Sequence, residues 1–170
     1  SKLSENINGQ AVRLALLSSH YKQPLDWNEK LIEESQNTLN KWYTQFEKVN
    51  LEELQYDVLT PLLEDLNTPK YIANLHLLYD ESVKGNKSSK VKFLSACNQI
   101  GLLEEDSKSW ENFKKSKAKV DEHFINRKIK DRNNAREKGD YKHADIIRKE
   151  LEDNGVIIED KKKQTLWKYK

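Results

Sequence analysis

Apolar residues recur every three or four positions through most of the first hundred residues, which is the spacing of an amphipathic helix. The clearest stripe is Leu31, Ser35, Leu39, Trp42 and Phe46. Similar series predict a first helix that ends near Tyr21, a run over residues 51–66, and helices near 68–79 and 91–100. The pattern therefore predicts a helical bundle, with Trp27 and Trp42 in its core.

Helix-start and helix-stop residues refine these boundaries. Asp26 and Glu29 have the spacing of a capping box, and Thr68 precedes a proline that is tolerated in a first helical turn. Pro61 lacks an amide donor and is expected to break the run over 51–66. Gly101 is expected to end the last helix of the bundle.

The last fifty residues follow a different pattern. Helices are predicted from about 120 to 138 and from 141 to 153, because Gly139 and the Asn-Gly pair at 154–155 interrupt the helical spacing. Two short segments, 156–158 and 165–167, are rich in β-branched and aromatic residues and predict a β-hairpin. Because two strands alone are barely stable, the hairpin must pack on the two helices.

The expected fold class is mainly α: a helical bundle followed by a small α+β module of two helices and a β-hairpin. We assign the bundle to residues 1–103 and the module to residues 119–170. The connector, residues 104–118, is rich in Glu, Asp, Ser and Lys.

Charge is distributed unevenly along the chain. Residues 114–170 contain 18 Lys and Arg against 11 Asp and Glu, a net charge of +7. Residues 1–113 contain 12 against 17, a net charge of −5. A basic terminal module on an acidic body is typical of a polyanion-binding appendage, although such charge can also serve only solubility.

Several classes of site and location are excluded or disfavoured by the sequence. No stretch approaches the ~20 apolar residues of a membrane-spanning helix, and no secretory signal pattern is present at the start. Cys97 is the only cysteine, so an internal disulfide is impossible and a cytoplasmic location is expected. The four histidines and Cys97 lack zinc-ligand spacing, and we predict no metal site and no catalytic residue.

Several motifs resemble the cysteinyl-tRNA synthetase family. They are VRLALLSSHY at 12–21, QPLDW at 23–27, LEDLNTP at 63–69 and IGLL at 100–103. The more specific match is at the other end of the chain, at Arg132, Ala135, Arg136, Asp140, Tyr141, Ala144, Asp145, Ile147, Arg148, Leu151, Gly155, Val156, Glu159, Asp160, Thr165 and Trp167.

The resemblance implies the anticodon-binding bundle and terminal module of a class I aminoacyl-tRNA synthetase, which joins cysteine to its tRNA using ATP and a zinc ion. The chain contains no Gly-rich phosphate loop and neither nucleotide signature of that class. We therefore expect a piece without the catalytic domain, which binds no cofactor itself. Its expected partners are tRNA, through anticodon and body, and the absent catalytic domain; we expect a monomer and no membrane partner.

The resemblance also implies roles for individual residues. Arg136 would present its guanidinium to a base edge, Tyr141 would stack on a base, and Asp145 and Asp160 would accept hydrogen bonds from exocyclic amino groups. Several relatives have Trp where this chain has Tyr141, so stacking is expected to be weaker. The candidate phosphate contacts are Lys138, Lys142, Lys161, Lys162, Lys163 and Lys168.

Other interpretations stay open at this point. Asp145 and Arg148 could pair across one helix surface. Tyr141 could be a packing residue, and Trp167 is expected to anchor the hairpin core rather than to contact RNA. The chain as a whole could instead be a helical protein–protein interaction module with no RNA specificity, which would bind through an exposed apolar patch and with little salt dependence.

Overall fold

The computed structural model of the protein describes residues 7–46, 48, 50–161 and 164–169, with only the backbone of Gln164 described. Lys162 and Lys163, two candidate phosphate contacts, lie outside the described residues. The chain divides into two compact units, Ser1–Ser107 and Lys108–Lys170. The division falls inside the predicted connector. No helix in the described ranges is long and apolar enough to cross a membrane.

The first unit is all-helical in its described part. Its elements are α1 (Gly9–Leu17), α2 (Glu29–Trp42), a 3₁₀ turn (Tyr43–Gln45), α3 (Tyr56–Leu63), α4 (Thr68–Val83) and α5 (Lys87–Gln99). Helix α1 packs on α2, α3 on α4, and α4 on α5, while α1 and the 3₁₀ turn also contact α4. The predicted helical bundle is confirmed.

Aromatic and leucine side chains from α2, α4 and α5 form the core of this unit. Trp42 is 1% exposed, and its ring meets Phe93 edge-on with centroids 5.4 Å apart. Leu39 and Leu75 are fully buried in the same unit. The prediction for Trp42 is confirmed, whereas that for Trp27 is wrong. Trp27 precedes α2 and is 39% exposed, because the residues before the helix do not share its buried stripe.

Asparagine side chains cap the N-termini of four of these helices. Asn8, Asn28, Asn67 and Asn86 each accept a hydrogen bond from a backbone amide in the following first turn. The predicted capping box at Asp26 is therefore wrong, and Thr68 is the first helical residue rather than the cap. Asparagine is as good a cap as aspartate, so spacing alone did not decide between neighbouring candidates.

Two predicted helix ends also differ from the structure. Helix α1 ends at Leu17 rather than near Tyr21, because the Ser18 amide and hydroxyl both bond back to the Ala15 carbonyl. Pro61 lies inside α3 and does not break it. In an eight-residue helix the first four amides have no helical acceptor, so a proline at the sixth position costs only one hydrogen bond.

The two motifs at 12–21 and 63–69 meet in space. Asp65 and Leu66 have left-handed backbone φ angles of 58° and 50°, unusual for residues other than glycine. The Asp65 carboxylate accepts hydrogen bonds from Tyr21 Oη at 2.7 Å and from Lys22 Nζ at 2.6 Å. These contacts hold the strained turn, so the motif residues have a structural role in the bundle.

The second unit contains the predicted α-hairpin followed by a β-hairpin, which confirms the α+β part of the fold class. Its elements are α6 (Ser107–Lys117), α7 (Glu122–Glu137), α8 (Tyr141–Asp153), β1 (Val156–Lys161) and β2 (Gln164–Tyr169). The strands are antiparallel, with Ile158 opposite Trp167 and Asp160 opposite Thr165. They are longer than predicted, because the polar residues after Ile158 continue the pairing.

The core of this unit lies between the two helices and one face of the sheet. Its buried members are Ile125, Ile129, Ile147, Leu151, Val156 and Ile158. Trp167 and Tyr169 pack against this cluster and are partly buried. The Trp167 indole also donates a hydrogen bond to Asn126 Oδ1 at 3.3 Å. Trp167 therefore anchors the hairpin, as the sequence predicted.

Candidate nucleic-acid interface

One stripe of α7 changes from apolar to basic along its length. Ile125, Ile129, Arg132 and Arg136 follow each other at intervals of four, three and four residues, which places them on one helix face. The two isoleucines enter the core, and Arg132 is 1% exposed. Arg136 lies in the last turn, where its side chain is 46% exposed. The stripe thus runs from the core to the surface at the C-terminal end of α7.

The sheet face that covers this stripe also changes from apolar to polar toward the surface. Side chains alternate along a strand, so Val156, Ile158 and Asp160 share one face of β1. The first two are buried in the core, and the Asp160 side chain is 40% exposed. Thr165 lies opposite Asp160 on β2. A carboxylate and a hydroxyl therefore face the basic end of the α7 stripe.

Arg132 and Asp160 form a two-pronged ion pair. Arg132 Nη1 donates to Asp160 Oδ1 at 2.9 Å, and Nη2 donates to Oδ2 at 2.6 Å. Thr165 Oγ1 lies 3.1 Å from Asp160 Oδ1 and 3.2 Å from Asn133 Oδ1. The hydrogen bonds from Arg132 are the main cause that lowers the pKa of Asp160 to about 2. The Asp160 carboxylate is therefore ionised near neutral pH and can only accept hydrogen bonds.

Arg136 and Asp160, two of the four predicted base-reading residues, are brought together. Arg136 Nη1 lies 3.8 Å from Asp160 Oδ2, and both side chains are partly open to solvent. A guanidinium donor and a carboxylate acceptor at this spacing match the alternating acceptors and donors on the edge of an unpaired base.

Tyr141 and Asp145, the other two, lie on α8. They are four residues apart and share a face that differs from the face of Ala144, Ile147 and Leu151, which is buried. Tyr141 is 62% exposed, so the packing interpretation is not supported, and Asp145 is also exposed. Within residues 125–161, all of which the structure describes, Tyr141 and Asp145 form no hydrogen bond or ion pair with Arg136 or Asp160.

The rival interpretation of Asp145 as the partner of Arg148 finds no contact in the structure. The ion pairs that involve described residues of α7 and α8 join Lys115 to Glu122, Lys128 to Glu150, and Arg132 and Arg136 to Asp160. Asp145 is therefore an exposed hydrogen-bond acceptor. Its role as a base contact stays a prediction.

The described candidate phosphate contacts lie either at the ends of helices and strands or within β2. Lys138 follows α7, Lys142 lies in the first turn of α8 and Lys161 ends β1, and all three are exposed. The residues that flank Asp160 on β1, Glu159 and Lys161, point to the opposite sheet face. Lys168 shares that face and forms an ion pair with Glu159.

No group of three or more His, Cys, Asp or Glu residues that could hold a metal ion occurs in the part of the chain that the structure describes. Cys97 is fully buried in the bundle, where burial raises the pKa of its thiol well above the usual value. A buried, protonated thiol is a poor nucleophile and a poor metal ligand.

Residues 125–167 match the sequence profile of the cysteinyl-tRNA ligase anticodon binding domain. This span begins at the first core residue of α7 and ends at Trp167, so it contains most of both hairpins and all four predicted base-reading residues. This part of the chain belongs to the family of cysteinyl-tRNA ligase anticodon binding domains.

Relatives in the cysteinyl-tRNA ligase family match nearly the whole chain. It is 51% identical over 170 residues to the cysteine–tRNA ligase of Pelagibacter ubique, a match that covers 98% of this chain and 37% of that protein. It is 37% identical to the Bradyrhizobium diazoefficiens ligase, a match that covers 95% of this chain and 34% of that protein. It is 34% identical to the Rickettsia africae ligase, a match that covers 98% of this chain and 37% of that protein. The chain thus spans little more than a third of these relatives' length.

Three polar residues of the candidate site had not been predicted to belong to it: Arg132, Asn133 and Thr165. The sequence identified Arg132 and Thr165 only as positions of the family motif, and it gave no role to Asn133. The signal that could have found Arg132 is its spacing, since it continues the stripe of Ile125 and Ile129. A charged residue at a buried stripe position requires a buried or half-buried partner of opposite charge.

Proposed function

We propose that this chain binds the anticodon loop of cysteine tRNA and distinguishes its bases. The observation that carries the proposal is the exposed pair of Arg136 and Asp160, 3.8 Å apart, within the span that matches the anticodon binding domain. Tyr141 adds an exposed ring for stacking, and Asp145 adds a second acceptor. Unpaired bases are recognised by such a combination of ring faces and polar edge groups.

The basic residues around the site supply affinity rather than specificity. Lys138 and Lys142 flank the turn between α7 and α8, and Lys161 ends the strand that carries Asp160. Positive side chains in such positions hold the phosphate backbone and release counterions. The two acidic site residues would repel RNA unless they accept hydrogen bonds from bases, which supports their role in reading base edges.

We further propose that the chain acts as the tRNA-binding part of a longer ligase that attaches cysteine to tRNA in the cytoplasm. Its share of about a third of its relatives' length supports this. ATP and zinc would then be used by another region of the protein. The other partner would be that catalytic region, with each chain acting as a monomer.

Binding to anticodon stem-loops tests the proposal directly. Four RNAs are compared with the intact chain: the cysteine anticodon stem-loop and three versions, each with one anticodon base changed. Each change at a contacted base is expected to weaken binding by roughly 1–3 kcal/mol. Equal affinity for all four RNAs would contradict specific recognition.

A protein-interaction module is the competing function, and exposed apolar side chains on the first unit are the observation in its favour. Tyr21, Leu63 and Leu66 are 59–61% exposed around the Asp65 turn. Binding to a protein through such a surface would depend weakly on salt, whereas binding to RNA would weaken steeply as salt rises. Measuring stem-loop affinity between about 50 and 200 mM salt separates the two.

A further inference from the structure

We infer that Arg132 is a positioning residue for base recognition, which fixes the Asp160 carboxylate and thereby the separation of the Asp160 acceptor from the Arg136 donor. The inference rests on the proposed function and deepens it. Arg132 is 1% exposed, so it cannot itself contact a base without a large rearrangement. Any effect of Arg132 on recognition must pass through the residues that it bonds.

The two-pronged contact defines the orientation of the carboxylate. Arg132 bonds both oxygens of Asp160, at 2.9 and 2.6 Å, and a planar guanidinium holds a carboxylate close to its own plane. A lysine could supply the same charge but not the same orientation, because its ammonium is a point charge. The geometry, rather than the charge alone, therefore sets where the free lone pairs of Asp160 point.

The same contacts limit how Asp160 can be used. A carboxylate offers about four acceptor positions. Oδ1 is approached by Arg132 and by the Thr165 hydroxyl, and Oδ2 by Arg132 with Arg136 3.8 Å away. The position left for a base donor lies on Oδ2, beside Arg136. A base must therefore bond this acceptor and the neighbouring guanidinium together, and its selectivity depends on their fixed separation.

A purely structural role is the rival explanation, because Arg132 also closes the open end of the core of the second unit. That role predicts that a variant at Arg132 loses stability and loses affinity for every RNA to the same degree. Positioning predicts a selective loss: the preference for the cysteine anticodon falls, while affinity for loops with a changed base is retained.

The test uses the intact chain, the cysteine anticodon stem-loop and the three single-base variants. Arg132→Lys is expected to lower the preference for the cysteine loop by about tenfold, with affinities for the changed loops within about threefold of the original. Carboxyl NMR of Asp160 in the same variant is expected to show a titration midpoint above that of the unsubstituted chain. Glu150→Gln is the matched control, since it breaks the Lys128 ion pair between α7 and α8 without altering the site.

The outcomes separate the two proposals. If the unsubstituted chain does not prefer the cysteine loop, the proposed function fails. If it does, and Arg132→Lys keeps the same preference, the positioning role is overturned and the proposed function stands. Should Arg132→Lys fail to fold, as judged by circular dichroism, Arg132→Met decides: an unbranched apolar side chain fills the same buried position without bonding Asp160, and it is expected to lower the preference at least about tenfold. An unchanged preference in that variant overturns the inference.

Discussion

Gln10 Oε1 accepts a hydrogen bond from the backbone amide of Leu103 at 2.8 Å, which joins the first helix to a residue 93 positions later. Gln10 Nε2 donates to Tyr43 Oη at 2.9 Å, and Gln10 is only 8% exposed. The left-handed backbone of Leu103, with φ of 54°, turns its amide toward this acceptor. One side chain thus bonds polar groups from two other segments of the bundle.

Gln10→Ala is expected to lower the free energy of unfolding of the first unit by roughly 1–3 kcal/mol. The reason is that the buried Leu103 amide would lose its acceptor and Tyr43 Oη would lose the Gln10 donor. Urea unfolding followed by the indole NMR signal of Trp42 measures the change. Gln99→Ala, at an exposed position in α5, is the control and should change stability by less than about 0.5 kcal/mol. A similar small effect of Gln10→Ala would show that the network does not stabilise the bundle.

Tyr141→Ala is expected to weaken binding of the cysteine stem-loop by roughly 1–3 kcal/mol, because it removes a stacking surface. Its effect on stability should be small, since the ring is 62% exposed. Tyr141→Trp offers a larger ring and is expected to bind at least as tightly as the unsubstituted chain. Fluorescence anisotropy of a labelled stem-loop measures all three affinities.

Tyr56→Ala provides the matched control for this ring. Tyr56 is 70% exposed at the start of α3 in the first unit, and its removal should leave stem-loop affinity unchanged. Equal losses for the substitutions at Tyr56 and Tyr141 would point to a general effect of surface tyrosines rather than to stacking at the anticodon.

Much of the fold follows from local signals in the sequence. Helix α8 was predicted over 141–153, and the structure gives the same range, because Gly139 and Gly155 bound it with φ angles of 76° and 82°. Caps were predicted less well. An asparagine lay within two residues of each candidate, and the choice depends on backbone angles that the spacing does not specify.

The candidate site was only partly predictable for a related reason. The resemblance named Arg136 and Asp160, and the structure brings these two together. The bonds that hold them depend on strand register, since a shift of one residue would turn Asp160 to the opposite sheet face. Register is fixed by the buried pair of Val156 and Ile158, a long-range packing effect that local patterns do not reveal.

The ion pair at Asp160 predicts how acid destabilises the second unit. The pKa of this carboxyl in the folded chain is about 2, below its ordinary value of 3.8, so its stabilising contribution is fully present above about pH 4. That contribution is lost as pH falls from 4 through 2. Because the side chain is 40% exposed, we expect it to be about 1–2 kcal/mol rather than the full value of the shift.

Asp160→Asn tests this expectation through urea unfolding followed by the Trp167 indole NMR signal. The variant should be less stable than the unsubstituted chain at pH 6, and the difference should shrink as pH falls toward 2, where about half of the native carboxyl is protonated. Asp153→Asn, outside the network at the end of α8, is the control. A difference between Asp160→Asn and the unsubstituted chain that is as large at pH 2 as at pH 6 would assign the effect to packing instead of charge.

Single substitutions of Lys138, Lys142 and Lys161 by alanine are expected to separate affinity from specificity. Each lost phosphate contact should reduce the slope of log affinity against log salt concentration by about 0.7, the value for single-stranded RNA, and should weaken matched and changed loops equally. Affinities at several salt concentrations give both quantities, with Lys84→Ala in the first unit as the control. A lysine whose removal lowers the preference for the cysteine loop but leaves the slope unchanged would instead contact a base, because phosphate contacts carry no sequence information.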